Sequence, residues 1–359
     1  MPDVTKQYYN PNALNIGVLR STAFGTKRGV DGIGTATVPT SVIYKTILAD
    51  TGSFALNGDL VIDKMDLTSL NDIFFQDTRE FIESYSSRPI ISWTGPLQHK
   101  VFANLLAAAF QNVAEGALTP FQKTYTFPST PINFAGGSGY VYNIAARFPY
   151  MGGANYGCRM RSAIVDSLII TIECDSRGFV QVVKYSVTWI GLEPERNLNF
   201  ATASQEITFA TEDKTWLAGR KATLMITNET DLDAFTTPFK SFSFTINTNS
   251  VPIGTTSSGY TDSYIIAPTA SASLLIPYTQ EMTLWFDDIQ AGDIFSFNAT
   301  INTFTAENGF MIYAVGRIKN DLPTGSADKI LTIPLEMDCF DKAATPTQIV
   351  LTDAIDWAF

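Results

Sequence analysis

Apolar and polar residues alternate with period two through much of this chain, and in one place the period changes. In FSFTIN at 242–247, Phe242, Phe244 and Ile246 alternate with Ser243, Thr245 and Asn247. That is the pattern of an antiparallel strand with one buried face and one polar face. The strongest signal of this kind is the pair DSLIITIECD at 166–175 and FVQVVKYSVTWIG at 179–191, joined by Ser176, Arg177 and Gly178. Both runs are rich in β-branched and aromatic residues, so they predict a long hairpin. Leu168, Ile170 and Ile172 would share one face; Ile169, Thr171 and Glu173 the other. Shorter strand-like runs stand at Val42–Ile47, 59–67, 81–86 and PIISWT at 89–94. A second β-rich series holds KATLMIT at 221–227, FKSFSFTINT at 239–248, EMTLWF at 281–286 and IFSFNATINTFT at 294–305, then a turn at 307–309 into FMIYAVGRI at 310–318.

The change of period falls in SWTGPLQHKVFANLLAAAFQ at 92–111. Phe102, Leu105, Leu106, Ala109, Phe110 and Val113 recur at steps of three and four, with Lys100, Asn104 and Gln111 opposite them, which predicts a helix over 97–113 with one apolar stripe. Pro96 suits its first position, Thr94 or Gly95 the cap, and Gly116 the stop. Such a helix would pack on a sheet through Phe102, Leu105, Leu106 and Phe110. The fold class expected is therefore all-β with one packed α-helix. Residues 1–38, with weak periodicity and several glycines, read as an N-terminal arm. Residues 39–200 form a first β-rich part with the helix, and 201–359 a second. The segment 221–249 loosely echoes 166–191, and the pattern leaves open whether this is a duplication or two ordinary hairpins.

Composition narrows the function. Charged residues make up 16% of the 359 and the net charge is −11, so a general phosphate-binding surface, which needs clustered Lys and Arg, is not expected. The low charge points to uncharged polar surface or to surface covered by neighbouring subunits. No window is long and apolar enough to span a bilayer, and the first residues lack the form of a signal peptide, which predicts synthesis in the cytoplasm and no membrane. Cys158, Cys174 and Cys339 are odd in number and far apart, so they read as reduced thiols rather than a disulfide framework or a zinc knuckle.

Candidate chemistry is sparse. His99, the single histidine, has no Cys, Ser or carboxylate at triad or metal spacing and reads as a locally hydrogen-bonded side chain rather than a general base. The close carboxylates Glu193/Glu195, Asp231/Asp233 and Asp287/Asp288 sit beside turn signals, and adjacency in sequence does not place two groups across a sugar bond. NETDLDA at 228–234 offers oxygen donors but lacks the spacing of a calcium loop. GGSG at 136–139 lacks the Lys-Ser/Thr of a phosphate loop. No catalytic residue, cofactor or metal ligand is assigned, and no enzyme is expected.

The order of parts resembles a known family. RPIISWTGPL at 88–97, the LLAAAF helix at 105–110, YTFPSTP at 125–131, YGCRMRSAIVDSLIITIEC at 156–174 and VTWIG at 187–191 follow one another, and WLAGRKATLMI at 216–226 and FSFTINTN at 242–249 come later. Over roughly residues 45–320 this is similar to the tail tube (major tail) proteins of long-tailed viruses of bacteria and archaea. The resemblance implies a β-sandwich whose hairpins join those of neighbours into a ring-shaped β-barrel, stacked rings forming a hollow virion tail tube that conducts DNA during ejection. It implies a homo-oligomer, six-fold or, if the chain is duplicated, three-fold, meeting other tail proteins at the tube ends. The arm at 1–38 and the loops around 135–157 would bridge rings, and the helix would brace the outside of the sheet. Glu173 and Asp175 are the candidates to face the lumen and repel phosphate. A rival expectation is a virion receptor- or carbohydrate-binding β-protein that exposes Trp285 or Tyr260 in a shallow pocket.

Overall fold

The computed structural model describes residues 15–21, 42–50, 53–58, 63–66, 78–81, 89–116, 121–134, 139–149, 155–175, 177, 179–199, 207–209, 222–255, 259–279, 282, 285–301, 309–319, 331–340 and 346–353. Its strands in the first part are β1 Asn15–Ser21, β2 Val42–Ile47, β3 Ala55–Gly58, β4 Asp63–Asp66, β5 Thr78–Phe81, β6 Pro89–Pro96, β7 Asn112–Glu115, β8 Phe121–Thr126, β9 Ile132–Asn133, β10 Val141–Pro149, β11 Asn155–Glu173 and β12 Lys184–Asn199. Those in the second part are β13 Ile207–Phe209, β14 Ala222–Asn228, β15 Ala234–Thr237, β16 Ser241–Asn247, β17 Ser250–Thr255, β18 Gly259–Ile265, β19 Thr269–Pro277, β20 Phe295–Ile301, β21 Gly309–Ile318, β22 Thr332–Cys339 and β23 Gln348–Asp353. Helix α1 spans His99–Phe110 and a short α2 spans Phe286–Ala291.

One 18-stranded sheet holds nearly all of these strands. Its centre runs β3-β6-β12-β11-β16-β19-β22, each neighbour antiparallel. Two long strands bend and change partners, which is how one sheet turns a corner without breaking. β11 lies beside β10 through residues 155–163 and beside β16 through 167–173. Near the end of the first stretch, where the register with β10 shifts, Ser162 takes a left-handed φ of 48, and its backbone N–H donates to Asn143 Oδ1 at 3.1 Å. β21 pairs with β23 over 309–313 and with β22 over 316–318. At that switch a Cβ on Gly316 would stand 2.0 Å from the Asp338 carbonyl oxygen, so only glycine lets the backbones approach this closely. The sheet remains open among the described residues. Pairings β11–β16, β2–β13 and β8–β23 all cross residue 200, so the two β-rich parts share one sheet.

The alternation read from sequence is realised in β11 and β16. Leu168, Ile170 and Ile172 are fully buried beside Phe242, Phe244 and Ile246, while Ile169 on the other face is 36% exposed. The hairpin's second regular strand starts at Lys184 rather than 179: Phe179, Val180 and Gln181 still pair back to Asp175, Cys174 and Glu173, and the register then slips by one residue before Lys184 meets Thr171. Residues 15–21, inside the expected arm of 1–38, form β1 between β10 and β2, with Ile16 and Val18 in the core. The remainder of 1–38 lies outside the described residues. EMTLWF at 281–286 was expected as a strand. Instead Met282 is helical, Trp285 is the N-cap of α2, and the Asp287-Asp288 pair occupies that helix's first turn.

α1 differs most from expectation. It starts two residues later and ends three earlier than 97–113, and it has no solvent face among its described side chains. Residues 102–110 are all between 0% and 3% exposed, Asn104 included. The helix packs against β2, β7, β8 and β11. Phe102 meets the rings of Tyr185 and Phe310, and Phe110 meets Phe127. Ala103, Ala107 and Ala108 explain why: with methyl side chains, the side assigned to solvent can lie close against backbone. α1 is thus an enclosed pillar, and the outside brace is corrected accordingly. Pro96 ends β6 opposite Lys184 rather than opening the helix. The N-cap is Gln98, whose carboxamide oxygen accepts from the Leu48 N–H at 2.7 Å instead of capping its own helix. The helix stops at Gln111, left-handed at φ 60, not at Gly116. The Gln111 side chain donates to the Ala108 and Tyr140 carbonyls and accepts from the Tyr140 N–H at 2.6 Å, which offsets the cost of that conformation.

Two substitutions separate an enclosed helix from a surface one. Leu106→Ala should cost about 2–5 kcal/mol in urea unfolding, as for other fully buried leucines. Ala107→Glu, harmless on a solvent face, should abolish cooperative melting because it buries an unpaired carboxylate. Wild-type melting of Ala107→Glu would place that side of α1 in water.

Candidate functional site

The feature with the clearest chemistry is the outward face of the central sheet. Period-two geometry and the cross-strand registers fix which residues lie there. One row reads Ser92, Thr188, Ser167, Asn247 and Thr269 across β6, β12, β11, β16 and β19. The next reads Thr94, Ser186, Ile169, Thr245 and Ser271, and continues to Asp338 in β22 and Arg317 in β21. A third reads Lys184, Thr171, Ser243, Ser273 and Glu336. Glu173 and Ser241 begin a fourth, which ends at Leu275 and Pro334. None of these residues is buried. The reverse face of the same strands carries Trp93, Val187, Leu168 and Ile246, all buried.

This face is hydroxyl-rich and carries no aromatic side chain among the described residues. Its charges are few and nearly offset one another. Lys184, Arg317 and Lys319 stand against Glu173, Glu336, Asp338 and, beside Lys184 and Thr94, Asp50, three cations to four anions. Asp338 is ion-paired with Lys319, and Lys184 lies 3.8 Å from Asp50. The face is therefore close to neutral in a chain of net charge −11.

The two candidate lumen acids differ. Glu173 is exposed at the end of β11, opposite Ser241. Asp175 is committed to the turn. Its carboxylate accepts from the Phe179 backbone N–H at 3.0 Å, from the Arg177 backbone N–H at 2.9 Å, and from the Arg177 guanidinium at 2.9 and 3.1 Å. The Phe179 amide foremost, then the Arg177 side chain and amide, hold its pKa below the usual carboxylate range despite some opposing desolvation. The helix residues Phe102, Leu105, Leu106 and Phe110 are all core.

The remaining sequence candidates disperse. His99 opens α1, and its side chain lies outside the described residues, as do those of Glu193, Glu195 and Tyr260. Cys158 is buried, and none of the three cysteines forms a disulfide. Burial first, and then Asp175 and Asp338 respectively, pushes Cys174 up to about 11 and Cys339 up to about 12, so both stay protonated and unreactive near neutrality. Trp285 is 7% exposed between Phe235 and Phe295, so it cannot serve the exposed aromatic platform of the rival reading.

Sequence spacing paired Asp231 with Asp233 and Asp287 with Asp288, but the fold groups Asp231, Asp288 and Asp293, with ligating oxygens within 4.8 Å of one another. The signal was that β14 and β20 pair antiparallel, Asn228 opposite Phe295, so the turns at one end of the pair must meet. The buried Asn228 amide donates to Asp288 at 3.2 Å and to Asp293 at 3.3 Å, which offsets the crowded charge, and nothing else among the described residues there points to a cation.

No protein-family model matches the chain, and no curated protein matches it. Among the described residues no helix is long and apolar enough to cross a membrane.

Asp175 provides a pH test. A carboxyl with a depressed folded pKa lends its turn stability that is present above the unfolded value of about 3.9 and is lost as pH falls through the lower folded value. In NMR titrations the Phe179 amide resonance should move with a midpoint below about 3.9, and Arg177→Ala should raise that midpoint. A wild-type midpoint at or above the ordinary Asp value would contradict the turn geometry.

Proposed function

We propose that the chain is a structural subunit that polymerises as stacked rings into the hollow tail tube of a virus and conducts the genome during ejection. The observation that carries this reading is the broad, nearly neutral hydroxyl face backed by a continuous apolar core. It suits a wall past which a long polyanion must move, better than it suits a pocket that must hold a ligand. The sequence resemblance points the same way. Beyond Ile190, β12 pairs with β11 on one side only among the described residues, so this extension can supply backbone for pairing with neighbouring copies.

The strand edges favour closure through this extension of β12 over bare end-to-end pairing. β3 is only 4 residues long. On β22, Glu336 accepts from the Lys319 N–H on the side away from β19, so with period two Pro334 faces that side as well, where it has no N–H to donate.

The ring would hold six copies or, if the chain is duplicated, three. The subunit would have no catalytic role and no cofactor, and would meet other tail proteins at the tube ends.

Negative-stain electron microscopy of the purified chain at high concentration checks this directly. Rings or tubes with six-fold or three-fold symmetry and a central channel are expected. Compact particles that never stack, together with binding to a glycan array, would replace the conduit with the receptor-binding reading.

A further inference from the structure

We infer that the hydroxyl face is a neutral sliding surface for the DNA backbone, along which the duplex moves because it is neither attracted nor expelled. This rests on the tail-tube reading, and it replaces repulsion by Glu173 and Asp175 as the reason DNA does not stick.

Charge carries the argument. In a chain of net charge −11, most exposed surfaces would be expected to repel a polyanion. This face departs from that, with three cationic and, counting Asp50 beside Lys184, four anionic side chains that nearly offset one another. Asp175, the acid nearest the hairpin tip, is cancelled by Arg177 at 2.9 Å, and Asp338 by Lys319. At the centre, Ser243 pairs across to Thr171 on one side and Ser273 on the other, with Thr245 and Ser271 in the next row. Hydroxyls exchange hydrogen bonds with water and phosphate alike, so each contact forms and breaks without a net charge to release. Clustered lysines would displace condensed counterions and hold the duplex with an affinity that falls steeply with salt. A strongly acidic wall would instead raise the cost of entry at low salt. A neutral wall predicts passage that hardly depends on ionic strength.

Assembled tubes and a fluorescent duplex of random sequence, about one helical persistence length or shorter, provide the test. Wild-type tubes should take up the duplex weakly and to the same extent at 50 and 200 mM salt. Tubes of Ser243→Lys should bind it more tightly at 50 mM and lose roughly tenfold of that affinity by 200 mM, as expected for about two phosphates contacted. Tubes of Glu173→Gln should match wild type. If Glu173→Gln raises uptake severalfold, acid repulsion governs entry and the neutral surface is overturned. If Ser243→Lys tubes form normally and bind no more duplex than wild type, the face does not meet DNA. If the wild-type chain forms no rings or tubes under the microscope, the tube reading fails and this inference fails with it, a result distinct from both others. Melting of each variant confirms that the substitutions leave the fold intact.

Discussion

Enclosing one helix within one sheet is the constraint from which most of this architecture follows. α1 has nine consecutive buried residues, 102–110, and a helix this apolar all round is stable only where protein covers every side. A flat sheet covers one side. To surround the helix the sheet must bend, and it does so at β11 and β21, each of which changes its neighbour partway along. The devices that permit the bends are specific: the left-handed Ser162 held by Asn143, and Gly316 pressed against the Asp338 carbonyl. The alanines of α1 complete the arrangement, since bulkier side chains at 103, 107 and 108 would push the surrounding strands away.

The hydroxyl face is the other side of the same constraint. Strands that surround a helix spend their large apolar side chains inward, Trp93 and Trp189 stacking at 6.1 Å and Phe102 against Tyr185. What remains on the outward face must keep strand propensity without adding either apolar area or strong charge. Threonine does this through its β-branch and serine through its small size. Rows such as Thr94, Ser186, Ile169, Thr245 and Ser271 are the outcome. The small share of charged residues thus has a location as well as a value.

Period-two alternation made the strands legible. Phe242, Phe244 and Ile246 against Ser243, Thr245 and Asn247 showed both faces of β16 before any partner was known, and Leu168, Ile170 and Ile172 did the same for β11. The helix was legible in place but not in surroundings, because periodicity reports which residues prefer burial and cannot report that Ala107 and Asn104 are covered too. Pro96 and Gly116 were read as helix punctuation by local rules, whereas β6 and the Gln111 side chain took over those roles through tertiary contacts. EMTLWF had strand composition but meets the Asp-rich first turn of α2. Asp175 showed as an acid, and its pairing with Arg177 and Phe179 exists only once the turn closes. The rows themselves were invisible in sequence, since each draws on segments more than a hundred residues apart that register alone aligns.

The central claim is that this face lines an enclosed channel. A single cysteine placed by Ser243→Cys, in a background carrying Cys158→Ser, Cys174→Ser and Cys339→Ser, tests it most directly. Before assembly, a small maleimide and a bulky polymer-linked maleimide should both label the site. In assembled tubes the small reagent should still react while the bulky one is excluded. Equal labelling by the bulky reagent in tubes would put the hydroxyl face on the outside and contradict the account.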